Sequence, residues 1–136
     1  MSSFTHFLTR PQEAKRQIEK ARQQAWQFAQ QWIFERVFRN IFRSQIDLLR
    51  HLQQSDPQQA PLSALLRFYE GGITGKGIPN TSYPYENYIG FLRNFGLIEL
   101  APASGTTERV VSLTPLGSNF LQYIERFNYN PFEKPF

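Results

Sequence analysis

Two stretches decide the fold: Tyr83-Pro-Tyr-Glu-Asn-Tyr-Ile-Gly-Phe-Leu-Arg-Asn-Phe-Gly-Leu-Ile-Glu-Leu100 and Val110-Val-Ser-Leu-Thr-Pro-Leu-Gly-Ser-Asn-Phe-Leu-Gln-Tyr-Ile124. They read as helix, glycine stop, short strand, then short strand and capped helix. Pro84 lacks an amide hydrogen, so its place is the first turn of a helix, with Ser82 or Tyr83 as the cap. Tyr88, Phe91, Leu92 and Phe95 recur at helical spacing and predict one buried face. Gly96 follows at once and can take the left-handed conformation that ends a helix. Leu97 to Leu100 and Val110 to Leu113 are short apolar runs. Ala101 to Arg109 between them holds Pro, Ser, Gly and two Thr, which is turn chemistry. Thr114 can cap the last helix, with Pro115 at its first position and Leu116, Phe120, Leu121 and Ile124 on its apolar face.

The run Ile89 to Leu100 followed by Val110 to Ile124 resembles the recognition helix, wing and closing helix of the winged-helix (winged helix-turn-helix) superfamily. Phe91-Leu92-Arg93-Asn94-Phe95-Gly96-Leu97-Ile98-Glu99 is similar to its passage from helix through Gly-Leu-Ile into a strand. Leu113-Thr114-Pro115-Leu116-Gly117 is similar to its Leu-Thr-Pro-x-Gly entry into the last helix. The resemblance covers about the last two thirds of the chain, with Phe38 to Gln54 and Leu62 to Tyr69 as the first two helices. It implies a mainly α protein with a small β-hairpin (α+β), a winged helix preceded by a long N-terminal helix. Helix-turn-helix units join their two helices by a turn of about 3–4 residues, whereas Gly71 to Thr81 intervenes here.

Composition bounds the rest. The 136 residues suit one domain with an extension, and 40% of them are apolar, including thirteen Phe. There is no cysteine, hence no disulfide, thiolate zinc site or cysteine nucleophile. No stretch approaches the roughly 18 apolar residues needed to span a membrane, and Met1 to Arg10 lacks an apolar signal core, so a cytoplasmic protein is expected. The net charge is +4. Residues 1–54 carry nine Lys/Arg against four Asp/Glu, and residues 55–136 six against seven. The positive charge therefore sits on the N-terminal segment.

No proline falls between Pro11 and Pro57, and all eight glycines lie at or beyond Gly71. The interval is rich in Gln, Ala, Arg, Glu and Leu, which predicts a helix from about Gln12 to Gln53, roughly 60 Å long at about 1.5 Å per residue. Ala14, Ile18, Ala21, Ala25, Phe28 and Trp32 step by four and three, a coiled-coil seam. Trp26 and Ile33 widen it. From Phe34 onward, Phe38, Ile41, Phe42, Leu48, Leu49 and Leu52 fall on nearly the opposite side. Two opposed apolar faces need two partners: its own core and a second copy of the chain. Ile18, Ala21, Ala25, Phe28 and Trp32 are the candidate dimer interface. A break near Gln30 to Phe34, folding the first segment back, is the alternative. The expected organisation is a helical dimerisation extension over 1–36, a winged-helix domain over 37–127 and an extended Pro/Phe tail over 128–136.

Arg36, Arg39, Arg43 and Arg50 are expected on one face of the long helix, either as a phosphate-tracking stripe or as a solvated face. The early part of helix Ser82 to Phe95 is the candidate reading surface for duplex DNA, because recognition helices place N-terminal residues against base edges. Ser82, Tyr83, Tyr85 and Asn87 lie there, with Glu86; Lys76 and Arg93 flank it and Arg109 sits at the wing. Asn87 could read adenine and Glu86 could accept from cytosine. The aromatic cluster Tyr83, Tyr85 and Tyr88 equally suits a protein-binding groove. The tail, with Phe132 and Phe136, is a second candidate contact for a protein partner.

Gly71-Gly72-Ile73-Thr74-Gly75-Lys76-Gly77 lacks the preceding strand, the spacing and the hydroxyl of a phosphate loop. His6 and His51 have no metal-ligand partner at helical spacing. No Ser/His/Asp set or carboxylate pair stands out, so no enzyme activity, metal or cofactor is expected. Two functions remain: a dimeric winged-helix DNA-binding protein that regulates transcription, and a winged-helix protein-interaction or assembly module without DNA binding.

Overall fold

The computed structural model describes residues 2–102 and 108–127, with side chains from Pro11 onward. The His6 side chain, the hairpin tip at 103–107 and the tail at 128–136 are not among what is described. The elements are α1 (Ser2–Asn40), α2 (Arg43–Gln54), β1 (Gln59–Pro61), α3 (Leu66–Gly72), α4 (Tyr85–Asn94), β2 (Ile98–Pro102), β3 (Arg109–Leu113) and α5 (Pro115–Arg126). Single 3-10 turns at Leu62–Leu65 and Thr74–Lys76 flank α3. The protein is mainly helical with one three-stranded antiparallel sheet, an α+β fold. It divides into two compact units, Met1–Arg36 and Val37–Phe136.

The first unit is the long N-terminal part of α1, which carries Pro11 inside it and runs through Gln30 to Phe34 without a break. Every residue from Pro11 to Ala29 is exposed. Phe28 is 72% exposed, Trp26 64%, Trp32 62% and Ile18 54%. The Arg36 guanidinium lies over the Trp32 ring, 5.5 Å from its centroid.

The helix expected over Gln12 to Gln53 is two helices, parted at Ile41 and Phe42. Neither residue is a helix breaker. The parting is built by Gln45, whose Oε1 accepts the Phe42 backbone N–H at 2.8 Å while Phe42 itself is extended. A glutamine three residues into a helix closes the cap from inside. The parting also divides the expected arginine stripe: Arg36 and Arg39 belong to α1, Arg43 and Arg50 to α2.

In the second unit α2 buries Ile46, Leu48, Leu49 and Leu52. The hairpin expected from the sequence is the larger part of a sheet ordered β1-β3-β2. Val111 sits at its centre, opposite Ala60 on one side and Leu100 on the other. Pro61 and Pro102 both fall on edge strands, where a missing donor is tolerated. β1 went unpredicted because Gln-Ala-Pro has no alternating pattern, and only Ala60 is buried.

Beyond α3, the left-handed Gly77 (φ +92°) ends the second 3-10 turn, and a Cβ at Gly75 would press on the Glu70 carbonyl. Pro84 is the cap of α4 rather than a residue of its first turn. It is extended, and its carbonyl accepts from the N–H groups of Asn87 and Tyr88. The buried face of α4 is Tyr88, Ile89 and Leu92. Phe91 and Phe95 are half-buried instead, and their rings meet 5.0 Å apart. Gly96 (φ +75°) ends the helix. Leu97 N–H bonds the Leu92 carbonyl and Gly96 N–H that of Arg93, the paired bonds of a Schellman stop. Thr114 caps α5, its Oγ1 accepting from Gly117 N–H at 2.9 Å and donating to the Gly96 carbonyl at 2.5 Å. Gly117 lets α5 lie against the residue that leads into β2: a Cβ there would collide with the Leu97 carbonyl.

Candidate nucleic-acid interface

The tyrosines of the reading-surface hypothesis face mostly inward. Tyr88 is fully buried, and its hydroxyl donates to Ser44 Oγ at 2.8 Å. Gln45, also fully buried, donates from Nε2 to the Tyr88 carbonyl at 2.9 Å. This one side chain therefore caps α2 and ties it to α4. Tyr85 commits its proton to the Leu62 carbonyl at 2.6 Å, and Tyr69 donates to the Tyr83 carbonyl at 2.6 Å. The Tyr69, Tyr83 and Tyr85 rings gather around Tyr88 with centroids 5.4, 6.4 and 6.3 Å away. Phe42 meets Tyr83 edge-on at 5.5 Å. Burial disfavours the phenolate, so the Tyr85 hydroxyl is pushed up to about 12 from its ordinary 10. Tyr88 and Tyr83 are raised for the same leading reason, against the opposing bonds of Ser44 and Gln45. These rings hold α2, α3 and α4 together. Tyr83 and Tyr85 serve packing first, and the phenol proton of Tyr85 is not available to a phosphate.

The predicted cations are sorted into two clefts. The first, about 440 Å³, is lined by Leu62, Tyr85, Glu86, Ile89, Gly90, Arg93, Leu100 and Arg109. Its lining includes both Arg93 of α4 and Arg109, the first residue of β3, with one carboxylate, Glu86. Glu86, Gly90 and Arg93 share a helical face at i, i+4 and i+7. Gly90 is unusual there. No positive φ and no close neighbour requires it, since a Cβ would meet nothing within 4 Å. A mid-helix glycine costs about 0.5–1 kcal/mol relative to alanine, and no packing within the described residues offsets that cost.

The second cleft, about 370 Å³, lies between α2 and α3 and is lined by Arg43, Ser44, Asp47, Arg67, Phe68, Gly71, Gly72 and Lys76. It joins Lys76 to Arg43, and adds Arg67, which the sequence reading passed over. Arg67 lies over the Phe68 ring at 4.9 Å and reaches His51 Nδ1 at 3.3 Å. No local signal marks it: Arg67 lies on the expected helix Leu62 to Tyr69, and only the packing of α3 on α2 sets it in one cleft with Arg43 and Lys76. Lys76 stands on the 3-10 turn that Gly75 and Gly77 make possible.

Ser82 and Asn87 are exposed and line neither cleft. Arg39, also exposed, lies in the last turn of α1 ahead of the parting, and Arg36 belongs to the first unit. Among the described residues no group of three or more His, Cys, Asp or Glu side chains could hold a metal ion. No helix among them is long and apolar enough to cross a membrane. Compared with known proteins, the chain matches no family model, no curated protein and no solved structure.

Proposed function

We propose that the chain is a dimeric DNA-binding protein of the transcription-regulator kind, whose residues 37–127 form a winged helix. On this reading α2, α3 and α4 are its three helices, α4 the recognition helix, β2–β3 the wing and α5 the closing helix. The observation that carries it is that a cation on the helix, Arg93, and a cation on the hairpin, Arg109, line one cleft beside the exposed residues of α4. A duplex lying along α4 would set a phosphate there, and a side-chain-free position at Gly90 lets a sugar–phosphate backbone approach. Asn87, exposed in the first turn of α4, is left to read a base edge. Arg43, Arg67 and Lys76 supply a second phosphate contact.

The test is a fluorescence-anisotropy titration of random-sequence duplex DNA at about 50 and 200 mM salt, between which phosphate-driven affinity collapses. Salt-sensitive binding that Arg93→Ala with Arg109→Ala weakens on every sequence supports the reading. Undiminished binding by that variant removes these residues from the interface.

Two observations favour the second reading, a protein-interaction or assembly module. The second unit carries nine Lys/Arg against eight Asp/Glu, and the first unit leaves two Trp and a Phe exposed. Absence of DNA binding at low salt makes this reading the better one.

A further inference from the structure

The seam on α1 is a continuous helical surface, exposed throughout, and its layers are unequal in a way that specifies how a second copy must lie on it. Resting on the dimeric reading above, we propose that two copies pair through α1 in antiparallel orientation, with the two-fold axis passing near Gln23.

The layers of the seam are Ala14, Ile18, Ala21, Ala25, Phe28 and Trp32. A parallel pair sets each residue against itself. Its end near Ala14 would need a close helix approach, while Phe28 and Trp32 would hold the other end apart. Interaxial distance follows the side chains at the contact, so two straight helices cannot satisfy both ends without leaving voids beside alanine. The antiparallel pair sets Trp32 against Ala14 of the second copy, Phe28 against Ile18, and Ala25 against Ala21. Each bulky layer then meets a smaller one, and the tight layers fall together at the centre. A depression of about 420 Å³ lined by Gln24, Gln27, Phe28 and Gln31 lies where the second copy's Ile18 would seat.

The flanking residues agree. Gln17, Gln24 and Gln31 repeat every seven residues on one side of the seam. In the antiparallel pair this side faces its own copy, so Gln24 meets Gln24 and Gln17 meets Gln31, amide against amide. The other side carries Lys15, Arg22, Ala29 and Arg36. There Lys15 meets Ala29, and the single like-charge contact is Arg22 on Arg22. That contact is exposed to solvent, and Glu19 stands three residues before it on the same helix face, where opposite charges attract. A screened surface repulsion is small beside mismatched apolar layers. A heterologous partner would have no reason to carry this same inverted order of large and small layers.

The chain has no cysteine, so single cysteines can carry nitroxide labels on the full-length protein. Gln12→Cys and Gln23→Cys both lie off the seam. Pulsed electron–electron resonance should find the Gln23 labels within about the width of two helices, roughly 20 Å, and the Gln12 labels displaced by a further ~33 Å along the axis, at about 1.5 Å per residue. Equal distances at both sites mean a parallel pair and overturn the proposal. So does a monomeric mass by light scattering with no dipolar coupling, whatever other protein then covers the seam. The labels are measured without DNA. Predicted distances with no DNA binding would sink the proposed function alone, and a monomer that still binds DNA would sink the pairing alone.

Discussion

Gln45 ties two backbone groups 46 positions apart with one side chain. It sits with no exposure between the Phe42 amide and the Tyr88 carbonyl. Gln45→Leu would keep the volume and strand both backbone groups, at about 1–3 kcal/mol for each unsatisfied group. The urea midpoint should fall accordingly, while Asp47→Asn, on the exposed side of the same helix, should move it little. Gly90→Ala has the opposite sign. With open space around the new methyl, helix propensity should raise stability by about 0.5–1 kcal/mol. If the notch admits a DNA backbone, the same variant should bind duplex DNA more weakly; a gain in stability with unchanged affinity would leave that glycine without a role in binding. The half-buried phenol of Tyr85 sets a pH limit. A folded-state value near 12 for Tyr85, against 10 when unfolded, gives stability that is complete below about pH 10 and lost as pH climbs toward 12. Urea midpoints at pH 9, 10 and 11 should fall in that order, and less steeply in Tyr85→Phe.

The elements divide into those whose signals are local and those whose signals are not. The stop of α4 at Gly96, the cap of α5 at Thr114 and the apolar run of β3 each declare themselves within a few residues, and each was legible. The parting at Ile41 and Phe42 was not, because Gln45 acts from inside the helix it begins and reads as an ordinary helix former. β1 was illegible because its three residues become a strand only when β3 arrives. The candidate site was half legible for the same reason. Arg93, Arg109 and Lys76 could be picked out by type and place, but their sorting into two clefts, and the inward turn of the tyrosines, depend on how α2, α3 and α4 pack. Thr114→Ala removes the oxygen that accepts from Gly117 and donates to Gly96. A lost cap of this kind costs about 1–2 kcal/mol, and Thr114→Ser should recover most of the thermal stability that Thr114→Ala loses.

For the whole molecule, pairing through the exposed seam, as proposed, would make self-association part of the stability. Anything that binds only the folded state raises the unfolding temperature by mass action, so the melting of α1 should shift upward with protein concentration. Ala25→Glu with Phe28→Glu should abolish that dependence and halve the mass in light scattering; a variant that keeps its mass would refute the seam. The order of the sheet carries a consequence for biosynthesis. β1 and β2 are hydrogen-bonded only through β3, the last of the three to be made. Both edges of the sheet therefore leave the ribosome before its middle, and Gln59 waits for Ser112. Such long-range pairing is slow and leaves nascent strands bare. A message cut short ahead of Arg109 would yield a chain with two strands and nothing to join them, a substrate for quality control rather than a partial protein.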